Sequence, residues 1–147
     1  MLRSILAVLA GIAALTISSF AIEWAADALF MAVFPGAFPN RAALSGSLPA
    51  SLIMYVYSAA CVAAGGYVTA WIAKRRPVTH AVSMGVIQLG LNIWAFASIP
   101  HQAALRNWIA GMVFTVPAAW VGGWIRLQRI VRAEVGMPGA TRAAGLS

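Results

Sequence analysis

The stretch that decides the fold is ILAVLAGIAALTISSFAIEWAADALFMAVF, residues 5–34. It is apolar throughout, apart from a few hydroxyl groups and two acids, Glu23 and Asp27. About 20 apolar residues in a helix cross the roughly 30 Å core of a bilayer, so this stretch is long enough to span a membrane. A helix that begins near Ser4 would bring both acids to its far end, where a charge costs much less than at mid-membrane.

The beginning of this stretch also resembles a secretory signal peptide. Arg3 precedes an apolar core, and Ser19-Phe20-Ala21 offers a small-x-small cleavage site. The apolar run continues past that site to Phe34, which is typical of a membrane anchor. We therefore expect the segment to be retained.

Three more apolar runs follow, and turn signals such as Pro35-Gly36 separate them. The composition agrees, since 62% of the residues are hydrophobic and 9% are charged, against about 25% charged in a soluble domain. The sequence therefore predicts an all-α fold, an integral membrane bundle of four transmembrane helices joined by short loops. The expected spans are 4–34, 50–73, 79–99 and 105–126, in one domain over 1–132, followed by a flexible cytoplasmic tail over 133–147.

Two prolines make local predictions. Pro77 disfavours helical geometry at the preceding residue, so Arg76 is expected to be extended. Thr79 is then the expected N-cap of the third span. Pro117 lies in the middle of the fourth span and predicts a kink there.

The ten Lys and Arg residues are distributed unevenly between the two sides of such a bundle. Eight fall on the side that holds both termini and the second loop, and only Arg41 and Arg106 fall on the other. Lys and Arg favour the cytoplasmic side, so we expect a multi-pass protein of the cell membrane, of the bacterial inner-membrane type, with an N-in/C-in orientation. Six basic residues are expected to contact anionic lipid headgroups on that side: Lys74, Arg75, Arg76, Arg126, Arg129 and Arg132.

The net charge of +7 does not indicate nucleic acid as a partner. The basic residues cluster at the ends of apolar runs, where lipid headgroups would meet them, and no basic groove with interleaved aromatic residues is visible. The sequence excludes no particular protein partner.

Small residues recur at every fourth position in two spans. One stripe is Cys61, Gly65, Thr69 and Ala73, and the other is Gly111, Thr115, Ala119 and Gly123. Small residues let helix backbones approach closely in lipid, so both stripes predict tight helix packing. They do not identify what packs against them.

Six polar residues are the candidate binding or reactive groups: Glu23, Asp27, Gln88, Asn92, His101 and Arg106. The two acids continue a polar stripe that begins at Thr16 and Ser19 with helical spacing. Gln88 and Asn92 lie one turn apart in the third span, and such amides usually hydrogen-bond to a neighbouring helix.

Around the acids, two interpretations stay open. An acid pair near His101 and Arg106 is able to bind a cation, relay a proton or assist hydrolysis. Alternatively, these groups form interfacial ion pairs that fix the helix ends, for example between Glu23 or Asp27 and Arg106.

No resident metal or cofactor is expected. His80 and His101 are 21 residues apart along one predicted helix, about 31 Å, which is too far for both to ligate one haem iron within a chain. Cys61 is the single cysteine, and no histidine-rich cluster indicates zinc. Nucleotide-binding, serine-hydrolase and metalloprotease motifs are also missing from the sequence.

Three functional hypotheses follow. The first is a non-enzymatic accessory or structural subunit that packs with itself, as a homo-oligomer, or with a larger membrane complex. The second is a small transporter or channel with a polar path through Glu23, Gln88 and Asn92. The third is an enzyme with an outer-interface site at Glu23, Asp27 and His101. The absence of a catalytic motif favours the first two over the enzyme.

Overall fold

The computed structural model describes residues 2–73, 76–98 and 105–135, and all the regular structure in these ranges is α-helical. The helices are α1 (Leu2–Val33), α2 (Arg41–Gly46), α3 (Leu48–Ala73), α4 (Pro77–Ser98) and α5 (Leu105–Val135). Four of them, α1, α3, α4 and α5, are long and apolar enough to cross a membrane. The all-α prediction with four such helices is confirmed, and the ends of α1, α3 and α4 lie within about two residues of the expected ends. Helix α5 continues to Val135, so residues 133–135 of the expected tail are helical, and the remainder of that tail, 136–147, lies outside the described residues.

The short helix α2 was not predicted from the sequence. The Asn40 side chain caps it, because its Oδ1 accepts a hydrogen bond from the Ala43 amide at 2.9 Å. Leu44 anchors it against the bundle and is only 2% exposed. A helix of six residues is too short to show a clear period in the sequence, and its stability comes from such tertiary contacts.

The turn before α4 differs from the prediction. Arg76 has a φ of +49°, which is left-handed rather than extended. Pro77 is the first residue of α4, a position that tolerates its fixed φ and its missing N–H. Thr79 therefore lies within the first turn and is not the cap. Lys74 and Arg75 lie outside the described residues.

The four long helices are arranged in the order α1, α3, α5, α4 around the bundle. Helix α3 packs extensively on both α1 and α5, and α4 packs on α5. Helices α1 and α4 are also neighbours, but their mutual contact is much sparser. This leaves an incompletely closed seam between α1 and α4, which matters for the site described below.

We call the end of the bundle that carries the segment 34–47 the first-loop end, and the opposite end the basic end. In the half nearer the basic end, backbones touch through the small-residue stripes. A Cβ atom at Gly66 would lie 2.5 Å from the Ala119 carbonyl oxygen, and a Cβ at Gly122 would overlap the Ala63 carbonyl oxygen. Thr69 and Ala119 are completely buried in this half. Close packing at these stripes is therefore observed within the chain itself.

The outer surface of the bundle is apolar. Trp24, Trp71 and Trp94 each expose more than half of their surface, and large aliphatic side chains project outward from all four long helices. A soluble protein rarely exposes so much contiguous apolar surface. The arrangement is compatible with a multi-pass membrane protein.

Candidate functional site

A polar cavity of about 250 Å³ lies among all four long helices in the half nearer the first-loop end. Its polar lining comprises Thr16, Ser19 and Glu23 from α1, Ser58 from α3, Gln88 and Asn92 from α4, and Thr115 from α5. A second cavity of about 160 Å³ adjoins it and extends toward Tyr55 and Asn107. Glu23, Ser19, Ser58 and Thr115 line both cavities, so the two form one continuous space.

Small side chains explain why this half is open. Five of the positions that line the cavity are serine, threonine or glycine (Thr16, Ser19, Ser58, Gly111 and Thr115), and a Cβ atom at Gly111 would meet nothing within 4 Å. Sparse contact between α1 and α4 removes a further wall. The same residue types that bring backbones together near the basic end therefore leave space here.

The Glu23 carboxylate is the only acidic group in this lining. Among the described residues it makes no hydrogen bond and no contact ion pair. Asp27, one turn further along α1, is different, because the Arg41 Nε atom lies 3.0 Å from its Oδ2 atom. Of the two neighbouring acids, Asp27 is therefore paired with Arg41, whereas the Glu23 carboxylate faces the cavity.

A chain of hydrogen bonds runs across the opposite wall from α4 to α5. Gln88 Nε2 donates to Asn92 Oδ1 at 3.2 Å, and Asn92 Nδ2 donates to Thr115 Oγ1 at 3.3 Å. Thr115 in turn donates to the Gly111 carbonyl at 2.5 Å. This direction of donation leaves Gln88 Oε1 without a donor among the described residues. Asn92 therefore links two helices, as expected, and Gln88 presents an acceptor at the cavity.

Three hydroxyl groups of the lining are also uncommitted. Hydroxyls within helices commonly donate to the carbonyl four residues earlier, and Thr69 and Ser83 do so at 3.0 and 2.9 Å. In the part of the chain that the structure describes, the hydroxyls of Thr16, Ser19 and Ser58 make no such bond. The cavity therefore combines a free carboxylate with an amide oxygen and several hydroxyl oxygens.

A clamp closes the first-loop end of the bundle beside the smaller cavity. Arg106 donates to the carbonyl of Gly46 at 2.6 Å and to that of Ser45 at 3.3 Å. Asn107 Oδ1 accepts from the Tyr55 hydroxyl at 2.6 Å. The ion pair that was given as an example, Glu23 or Asp27 with Arg106, is not formed, whereas Asp27 is in an interfacial ion pair with Arg41. Arg106 instead holds the end of α2, where the last backbone carbonyls have no partner within the helix.

The remaining predicted residues are dispersed. His101, Lys74 and Arg75 lie outside the described ranges, so the proposed arrangement of Glu23 with His101 stays a prediction. Arg129 contacts the Tyr67 ring, with its Cζ atom 5.4 Å from the ring centroid, and donates to the Tyr67 hydroxyl at 3.2 Å. Arg76, Arg126 and Arg132 also lie toward the basic end, as the sequence predicts.

The described ranges contain no group of three His, Cys, Asp or Glu side chains close enough to hold a metal ion. His80 lies near the basic end, where its Nδ1 atom is 3.0 Å from the Arg76 carbonyl oxygen. One carboxylate with neutral oxygen acceptors is therefore the chemistry that the site offers.

The sequence analysis missed Ser58 and Thr115, which line both cavities, and Tyr57, which lines the smaller one. Thr115 was visible only as a member of a small-residue stripe, and Ser58 and Tyr57 only as polar breaks in an apolar run. A single sequence does not show which helices pack against one another, so nothing in it indicated that these three residues lie near Glu23. No protein-family model, curated protein or solved structure matches the chain.

Proposed function

We propose that this chain is a multi-pass protein of the cell membrane that binds a small monovalent organic cation at Glu23 and carries it across the bilayer. Both termini are on the cytoplasmic side in this proposal, because most Lys and Arg residues lie at the basic end. A membrane with anionic headgroups on that side would bind Arg76, Arg126 and Arg132. The cavity then opens toward the outer half of the membrane.

The free carboxylate of Glu23 is the single observation that carries the proposal. An ionisable side chain in a membrane-spanning segment usually pairs with a partner or marks the path of a substrate or ion. Asp27 has its partner in Arg41, whereas Glu23 has none among the described residues and lines a space of about 250 Å³. A bound cation would supply the missing partner.

The lining also indicates the class of cation. One uncompensated negative charge matches one positive charge, which argues against a divalent ion. Gln88 Oε1 and the hydroxyls of Thr16, Ser19 and Ser58 accept hydrogen bonds, so a cation with N–H donors fits better than a bare metal ion. Guanidinium has these properties and keeps its charge at every ordinary pH.

Uptake of radiolabelled guanidinium into proteoliposomes tests the proposal. We expect wild-type vesicles to accumulate the cation, and Glu23→Gln and Gln88→Leu vesicles to show no uptake above protein-free vesicles. The matched control is the double variant Asp27→Asn/Arg41→Gln, which removes the neighbouring ion pair as a unit and should keep most of the uptake. Equal uptake by wild type and Glu23→Gln would refute the role of the carboxylate.

The accessory-subunit hypothesis remains an alternative with its own test. The structure supports this hypothesis less than the sequence alone does, because the small-residue stripes at Gly65 and Ala119 pack within the chain and do not require a partner protein. A stable complex at several concentrations of mild detergent would favour it over an isolated transporter. A strictly monomeric species would count heavily against it.

A further inference from the structure

An apolar groove of about 390 Å³ occupies the seam between α1 and α4 on the side of the basic end. Its walls are mostly aliphatic, and they include Val8, Leu9 and Ile12 from α1 and His80, Ser83 and Ile87 from α4. The groove exists because these two helices make the sparsest contact of any adjacent pair of long helices. The role of Glu23 proposed above does not use this groove.

The groove and the polar cavity follow one another along the same seam. On α1, the groove residue Ile12 precedes the cavity residue Thr16 by four positions, which places both on one face of the helix. On α4, the groove residue Ile87 and the cavity residue Gln88 are consecutive and point about 100° apart, so α1 is the helix that carries both spaces on one face. The helical rise puts Glu23 and Leu9 about 21 Å apart along α1. The seam is therefore polar at the cavity and mostly aliphatic along the groove, where Ser4, His80 and Ser83 are the polar members of the lining.

We infer that the cation bound at Glu23 is amphipathic, with its charged group in the polar cavity and an aliphatic chain along the α1–α4 groove. This inference rests on the proposed function, since it names the substrate class of the same site. The substrate would be an alkylated cation such as a long-chain guanidinium or ammonium ion. It would enter sideways from the bilayer through the seam.

Charge complementarity distinguishes this occupant from the alternatives. A carboxylate at the polar end attracts a cationic headgroup and repels a phosphate, so an anionic phospholipid in the same orientation is disfavoured. Glu23 would lie near the outer surface, whereas the groove lies in the half of the bundle nearer the basic end, so the aliphatic chain must span about 21 Å to reach Leu9.

Photolabelling in lipid nanodiscs tests the inference. The probe is hexadecylguanidinium with a diazirine on its terminal carbon, and the labelled residues are identified by mass spectrometry. We expect labels at Leu9, Ile12 and Ile87 that are lost in Glu23→Gln. Labels spread over outward faces such as Val56 and Val113 would overturn the inference. So would groove labels that persist in Glu23→Gln, because the groove would then hold any acyl chain.

A groove-filling variant gives a second readout that does not depend on a reactive probe. Ile87→Trp should weaken binding of hexadecylguanidinium by about tenfold, because the indole ring occupies the groove and the aliphatic chain loses its packing contacts there. Binding of guanidinium itself should be unchanged. The matched control is Val86→Trp, since Val86 is the adjacent residue, is 54% exposed and does not line the groove. Equal affinities for the long-chain probe in wild type and Ile87→Trp would overturn the inference.

Binding of plain guanidinium separates failure of this inference from failure of the proposed function. If guanidinium binds wild type but not Glu23→Gln, and the long-chain probe labels elsewhere, the cation site stands and its substrate is not amphipathic. If guanidinium does not bind wild type, the proposed function fails and the inference fails with it.

Discussion

The two halves of the bundle contain similar small residues, but these residues have opposite effects on helix packing. Near the basic end, Gly66 and Gly122 bring the α3 and α5 backbones into direct contact. Near the first-loop end, Gly111 and Ser58 border a cavity, and a Cβ atom at Gly111 would meet nothing within 4 Å. A small residue therefore permits close approach but does not enforce it. The packing of the neighbouring helices decides between contact and open space.

The halves also differ in how polar groups are satisfied. In the packed half, the Thr69 hydroxyl is fully buried and donates to the Gly65 carbonyl at 3.0 Å. In the open half, Glu23 and the Ser19 and Ser58 hydroxyls have no hydrogen-bond partner among the described residues. Unpartnered polar groups are costly in a membrane, and their concentration in one half of the molecule is the reason why we propose that this half binds a ligand.

Breaking the packed half should have the largest effect. Gly122→Val places a side chain against the Ala63 backbone, which has no room to move, so we expect a loss of about 3 kcal/mol in the free energy of unfolding, the upper range for overpacking. Thermal unfolding in mild detergent measures it. Gly90→Val is the control, because nothing lies within 4 Å of a Cβ there, and its stability should equal that of wild type or exceed it slightly.

The hydrogen bond between Asn92 and Thr115 should contribute less to the free energy of unfolding than the packing at Gly122 does. Asn92→Ala and Thr115→Val each remove the 3.3 Å hydrogen bond between α4 and α5, and interhelical bonds of this kind average about 0.6 kcal/mol, with a maximum near 1.7 kcal/mol. A double-mutant cycle measured by unfolding should return a coupling energy in that range. Strictly additive effects would show that the two side chains do not stabilise one another.

The smallest effect is expected at the clamp beside the cavity. Tyr55→Phe removes the 2.6 Å hydrogen bond to Asn107 and should cost about 0.5–1 kcal/mol, because the site is only partly buried. If the clamp limits access, the same variant should also speed the uptake of guanidinium into proteoliposomes. A slower uptake would indicate that the Tyr55 hydroxyl contributes to the transport path instead.

Much of the fold was predictable because a helix that could cross a bilayer core must meet strict requirements of length and hydropathy. The four long helices follow from runs of apolar residues that are each long enough to cross a bilayer core. Helix α2 was not predictable in this way, since Asn40 and Leu44 hold it by a cap and a tertiary contact. The left-handed Arg76 overrides the usual preference of a residue that precedes proline.

Only part of the candidate site was predictable from the sequence, and the contacts between its residues were not. Glu23, Gln88 and Asn92 stand out in the sequence because polar groups are rare in apolar runs, and all three line the cavity. The sequence could not say that Asp27 pairs with Arg41, because that contact depends on how the first loop folds back over the bundle. It also could not show that α1 and α4 pack sparsely, which opens the cavity.

Cysteine accessibility gives the most direct test of the central claim that Glu23 faces a cavity that admits water and favours cations. Ser58→Cys is introduced in a Cys61→Ala background, and its reaction with cationic and anionic methanethiosulfonates of similar size is timed in nanodiscs. Thr69→Cys, at a completely buried position, is the unreactive control. We expect the cationic reagent to react faster with Ser58→Cys, and Glu23→Gln to remove that preference. No reaction at this position, or equal rates for both reagents with and without Glu23, would contradict the claim.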